Sequence, residues 1–124
     1  MTTSPIQTPN QATIERFLGK VFIVNQNDDD SCWYWDAAKD SDGYGRFWFE
    51  GRVIRAHRFS FTTFRTEIPE GLELDHLCHN RACCNPFHLE PVTGEENKAR
   101  MHAYQATIRA KIKRLHMLRT PKEH

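Results

Sequence analysis

The spacing of apolar positions changes along the chain, and each change marks a predicted element. Thr13 is placed to cap a short helix through Ile14 to Phe22, while residues 1–11, rich in Thr, Pro, Gln and Asn, read as a mobile lead-in. Asn25 to Ser31, with three consecutive aspartates, reads as a solvated loop. Cys32-Trp33-Tyr34-Trp35 reads as a strand, and Asp42-Gly43-Tyr44-Gly45 as a turn. Arg46 to Glu50 and Arg52 to Ala56 form a predicted hairpin around Glu50-Gly51. Trp33, Trp35 and Trp48 alternate with polar residues and are expected in the core. Phe59, Phe61 and Phe64 give residues 57–64 a helical spacing, and Ile68-Pro69-Glu70-Gly71 is a turn. Leu72 to Leu77 and Leu89 to Val92 are short strands flanking a cysteine-rich loop, residues 78–88.

After the second of these strands, Thr93-Gly94-Glu95-Glu96 has the pattern of a capping box. The helix it opens is expected to run to about Arg119, with Met101, Tyr104, Ile108, Ile112, Leu115 and Leu118 at steps of three and four. That stripe admits three readings: packing on its own domain, a homodimer seam, or a basic helix lying on DNA. Asn97 falls at the fourth helical position. An apolar residue there would pack on Val92, so a polar one points to function.

Composition adds little until it is read locally. At 124 residues with 39% apolar and 27% charged positions, the chain has the balance of one modest domain. Net charge is only +1, but Gly94 to Arg119 holds seven basic and two acidic residues, and Met1 to Ser31 two basic and four acidic. The basic end suits an acidic polymer. No run is long and apolar enough for a membrane span, and the N-terminus lacks the pattern of a signal peptide. An intracellular setting is therefore expected, where four cysteines favour metal over disulfides.

Cys78, Cys83 and His88 lie five apart and offer three zinc ligands. Cys32 is the preferred fourth, since it would tie the first strand to the loop; Cys84 is the alternative, disfavoured by its adjacency to Cys83. His76 ends a strand beside Asp75 and is a candidate general base. A neutral imidazole can take a proton from water at physiological pH. Asp75 and Asn97 offer hard oxygen donors that suit Mg²⁺ rather than zinc.

Together Asp75-His76-Leu77-Cys78, Cys83-Cys84-Asn85-Pro86-Phe87-His88-Leu89 and Glu96-Asn97 resemble the HNH endonucleases, especially the zinc-containing His-Cys box homing endonucleases and phage HNH proteins. Cys32-Trp33-Tyr34-Trp35, Gly43-Tyr44-Gly45, Ala56-His57-Arg58 and Ile68-Pro69-Glu70-Gly71 extend the likeness, which covers roughly residues 14–100. The resemblance implies an α+β fold: a small antiparallel sheet with a ββα-metal core, a zinc-tied loop and a C-terminal helix. It divides the chain into a tail (1–12), an HNH unit (13–100, with the ββα-metal motif at about 72–100) and a basic helix with its tail (101–124).

The implied activity is metal-dependent DNA cleavage to 5′-phosphate and 3′-hydroxyl ends, in the cytoplasm of a bacterial host, by a phage-encoded protein. His76 would be the base, and Asp75 and Asn97 ligands of catalytic Mg²⁺ or Mn²⁺. Cys32, Cys78, Cys83 and His88 would hold one structural zinc. Relatives often steady the phosphate with an arginine, for which Arg58 is preferred over Arg46, Arg52 and Arg55. His79 and Arg81 are further candidates for DNA-backbone contact. The rival readings are a non-catalytic zinc-stabilised DNA-binding module and a nicking enzyme serving phage packaging or recombination.

Overall fold

The computed structural model describes residues 9–118. Most of the expected mobile lead-in (residues 1–8), the helix end at Arg119 and the tail beyond it lie outside that range. The fold is α+β, built from three separate two-stranded antiparallel ribbons rather than one sheet.

Helix α1 (Gln11–Leu18) starts two residues before Thr13, because the Asn10 side chain accepts from the Thr13 amide and takes the capping role. It also stops earlier than expected. Val21–Ile23 is strand β1, paired with β2 (Trp33–Trp35) in the register Val21↔Trp35. A short apolar run fits a strand as well as a helix end, and here the tertiary partner decides.

Strands β3 (Arg46–Phe49) and β4 (Arg52–Arg55) form the expected hairpin. Glu50 and Gly51 both have positive φ, 53° and 81°, as a tight two-residue hairpin turn requires. Phe47 and Phe49 point inward. Trp48 points outward opposite Val53 and is 58% exposed, so only two of the three tryptophans pack inside.

Phe17 is the hub of the main core. Its ring centroid lies 5.0 Å from Trp35, 5.2 Å from Phe47 and 4.8 Å from Phe59. Phe59 belongs to helix α2 (Ala56–Phe64), whose Phe61 packs instead into a second cluster with Leu74 and Leu89. Thus α2 joins the aromatic core to the hairpin made by β5 (Glu73–His76) and β6 (Leu89–Val92). The Arg65 guanidinium strengthens that junction, donating to the Pro86 and Leu89 carbonyls at 3.1 Å each.

Gly45 sits where a side chain cannot. A Cβ there would lie 2.5 Å from Trp35 Cδ1 and 3.0 Å from the Ala56 Cβ. Trp35 is fully buried and has nowhere to retreat. Gly45→Ala should therefore cost about 1–3 kcal/mol, the usual penalty of overpacking, read as a lower denaturant midpoint at unchanged slope.

Helix α3 (Gly94–Leu118) is continuous and crosses the expected boundary at residue 100 without a break. Its Thr93 cap forms, with the hydroxyl accepting from the Glu96 amide at 3.0 Å. The reciprocal half of the capping box does not, because the Glu96 carboxylate takes Arg100 at 2.8 Å. No residue of α3 is buried: at the near end of the apolar stripe Tyr104 stacks on His79, while Ile112, Leu115 and Leu118 further along are exposed.

Candidate functional site

The Cys/His cluster is assembled by stitching β2 to the cysteine-rich loop. The Trp35 amide donates to the Ala82 carbonyl and the Cys84 amide to the Trp33 carbonyl, each at 2.8 Å. This extra pairing carries Cys32, from far upstream, to the side of Cys83. The donor atoms of Cys32, Cys78, Cys83 and His88 all lie within 4.8 Å of one another. Cys83 Sγ is 3.5 Å and Cys32 Sγ 3.7 Å from His88 Nδ1. Edges of about 3.5–3.8 Å are what a tetrahedron built on zinc–sulfur and zinc–nitrogen bonds of about 2.3 and 2.0 Å requires.

The surrounding hydrogen bonds fit the same ion. His88 Nε2 donates to the Asp30 carbonyl at 2.8 Å, leaving Nδ1 with its lone pair toward the sulfurs. Cys83 Sγ accepts from the Asn85 amide, and Asn85 Nδ2 donates to the Ser31 carbonyl at 2.8 Å, tying the loop to the residue before Cys32. The Cys83 hydrogen bond lowers the Cys78 thiol below its ordinary range, the direction that favours a metal-binding thiolate. Cys84 turns away: its thiol donates to the Trp33 carbonyl, and burial pushes it up to about 12. The cluster is a Cys₃His set that could hold zinc, with Cys32 and not Cys84 as its fourth member.

Beside it lies a cleft of about 410 Å³, lined by β5, α3 and the metal loop. His76 forms part of its wall while only 6% exposed. His76 Nε2 donates to the Cys83 carbonyl at 3.0 Å, which leaves the lone pair on Nδ1. Its ring packs 4.7 Å from His57 and 5.8 Å from Tyr44, and those two rings stack on each other at 5.1 Å. Burial holds the His76 imidazole below the ordinary histidine range, so it is neutral at physiological pH. His57, buried behind it, is pushed down to about 2 by burial and then by His76, Arg58 and Arg55.

Strand alternation sends Leu74 and His76 to the buried face of β5, and Glu73 and Asp75 to the other. There α3 meets them. Asn97 Nδ2 donates to Glu73 Oε1 at 2.8 Å, and Arg100 Nη1 donates to Asp75 Oδ2 at 3.0 Å and to Glu90 Oε1 at 2.7 Å. Asp75 and Glu90 are direct partners in the β5–β6 register, so like charges face each other and Arg100 offsets them. These carboxylates, Glu90 first, hold the guanidinium firmly protonated.

The structure thus brings Asp75, His76 and Asn97 into the wall of one cleft, with the Cys₃His cluster adjoining it. Arg58 is not brought there. It is half-buried on α2, outside the cleft lining, where burial and Arg55 lower its pKa. Besides Arg100, which is committed to carboxylates, the cleft's cationic side chains are Arg81 and Lys98. Arg81 extends over the Tyr44 ring at 5.4 Å and donates to the Asp42 carbonyl. His79, at φ 59°, stacks on Tyr104 of α3 with centroids 3.6 Å apart.

Three residues of the site go unsignalled by the motifs: Glu73, Arg100 and Tyr104. Two of them carry a local signal: Glu73 precedes Asp75 by two on one strand face, and Arg100 follows Glu96 by four on one helix face. Tyr104 has none beyond the stripe in which it lies, and Tyr44, though inside the Gly43-Tyr44-Gly45 motif, is given no site role by it.

Residues 55–99 match the HNH endonuclease family. The chain is 38% identical to Protein 2.8 of Escherichia phage T7 over 89 residues, which is 70% of this chain and 58% of that protein. It is 32% identical to Protein 7.7 of the same phage over 72 residues, 58% of this chain and 55% of that protein. It therefore spans little more than half the length of these curated relatives. No solved structure gives a significant match.

Proposed function

We propose, from the HNH endonuclease segment that this chain carries, that it is a metal-dependent nuclease hydrolysing DNA phosphodiesters, with His76 as general base. The observation that carries this reading is the state of His76. It is buried, neutral and fixed through Nε2, which leaves Nδ1 basic, and it lines a cleft shared with Asp75 and Asn97. A water oxygen attacks phosphorus, its proton passes to His76 Nδ1, and the bond to the 3′ oxygen breaks. The 3′ oxygen is protonated from solvent, giving 5′-phosphate and 3′-hydroxyl ends.

Asp75 and Asn97 would hold a catalytic Mg²⁺ or Mn²⁺; their oxygen donors match the preference of such hard cations. That cation supplies charge stabilisation at the phosphate and the leaving oxygen. Arg100 positions Asp75, and Glu73 positions Asn97. Arg81 and Lys98 supply positive charge facing the phosphates. Cys32, Cys78, Cys83 and His88 would hold one structural zinc that fixes the loop supplying the Cys83 carbonyl to His76. Since the relatives are phage proteins, DNA inside an infected bacterial cell is the proposed substrate.

The test is supercoiled plasmid incubated with the protein and Mg²⁺. Nicked or linear product should appear, and DNA ligase should reseal its nicks without prior kinase or phosphatase treatment, as those end groups dictate. Intact plasmid alongside tight DNA binding would instead indicate a zinc-stabilised binding module.

A further inference from the structure

Helix α3 does not end with the cleft. Asn97, Met101 and Tyr104 line the cleft, and at about 3.6 residues per turn Ile108, Ile112 and Leu115 continue the same face beyond it. This outer part is largely exposed: Ile112 is 60% and Leu115 47% accessible. Basic residues surround the rest of the helix. Arg109 and Lys111 border the stripe on either side, and Lys113 and Arg114 lie further round toward the opposite face. From Asn97 to Leu118 there is no aspartate or glutamate.

That charge pattern decides between occupants. Pairing two α3 helices through the stripe would line both edges of the seam with cations. Neither helix offers a carboxylate there to answer them, whereas stable helix pairs set opposite charges across such edges. A DNA duplex is complementary instead. A major groove about 12 Å wide admits a helix about 10–12 Å across, and its two walls are phosphate strands. The apolar stripe then faces base edges and thymine methyls, while the two basic edges face the two backbones.

We infer that the outer half of α3, from about Thr107 to Leu118, is a duplex-DNA-binding arm that enters the major groove next to the bond held in the cleft. This rests on the nuclease reading for its substrate, yet binding can be measured without cutting. The full chain, with its zinc but no added divalent cation, is titrated into a short fluorescent duplex across a salt series. Replacing Arg109, Lys111, Lys113 and Arg114 together with Gln should weaken binding at least about tenfold at low salt. It should also flatten the plot of log affinity against log salt by about three to four, roughly 0.9 for each phosphate left without its cation. The charge-keeping pair Arg109→Lys and Arg114→Lys should leave that slope unchanged.

A wild-type slope in the four-Gln variant, with helicity verified by circular dichroism, overturns the inference. So does light scattering that shows a DNA-free dimer broken by Ile112→Glu while the salt slope is unaffected; the stripe then seats a second copy. A protein that shows the expected slope change but never cuts DNA keeps the arm and refutes the nuclease.

Discussion

His76→Ala cuts plasmid DNA at least about 100-fold more slowly than the unaltered chain, the lower end of what a positioned general base contributes. The expectation rests on three features of one side chain. The Cys83 carbonyl fixes its tautomer, packing against the stacked His57 and Tyr44 rings restricts its plane, and burial keeps it unprotonated. The sign of the pH dependence follows. Because burial lowers the pKa, the base form persists below the usual imidazole range, so the rate should hold at neutral pH and fall only in more acidic solution. Coordination of Cys78 by a cation would remove one of the influences that raise the His76 pKa, and so pushes the same way. The variant should keep its metal content and circular dichroism. An unchanged rate in a folded His76→Ala protein would exclude His76 as the base.

The second large effect concerns folding. Protein purified without added metal should carry about one zinc per chain, and Cys32→Ser or Cys78→Ser should each lose it and unfold at a much lower temperature. Structural zinc sites contribute about 10–16 kcal/mol in small zinc peptides, as much as or more than the roughly 5–15 kcal/mol that holds a typical domain together. The loop from Cys78 to His88 contains few apolar residues and needs another organiser. Cys84→Ala is the matched control. Its thiol bonds the Trp33 carbonyl outside the cluster, so zinc should stay at about one equivalent with a modest stability loss. Elemental analysis and thermal melts with and without a zinc chelator decide the matter. A chain that stays folded after its zinc is stripped would refute the structural role.

Elements set by local chemistry are legible in the chain itself. The Glu50-Gly51 turn, the Thr93 cap, the β5–β6 pair and the ligand spacing within residues 78–88 all announce themselves within a few neighbours. What stays hidden depends on partners distant in sequence. Val21 to Ile23 is a strand because Trp33 to Trp35 lies alongside, and Trp48 faces outward because Phe47 and Phe49 claim the core. The triple use of Arg100 is equally hard to foresee. Only its Glu96 contact is local; Asp75 and Glu90 reach it through the register of the hairpin. The α3 stripe is plain in the sequence, but periodicity alone does not say whether a helix has a wall to pack on.

The cluster's ligands are spread from Cys32 to His88, and this spacing sets an order of assembly during synthesis. The β1–β2 and β3–β4 ribbons are closed by short connections and can register as soon as they leave the ribosome. Ion capture has to wait for His88, by which point α2 and the aromatic core have emerged. A metal bound there would thus act as a late lock on a half-formed scaffold, closing the loop whose Cys83 carbonyl holds His76 only after the rest of the fold has been made.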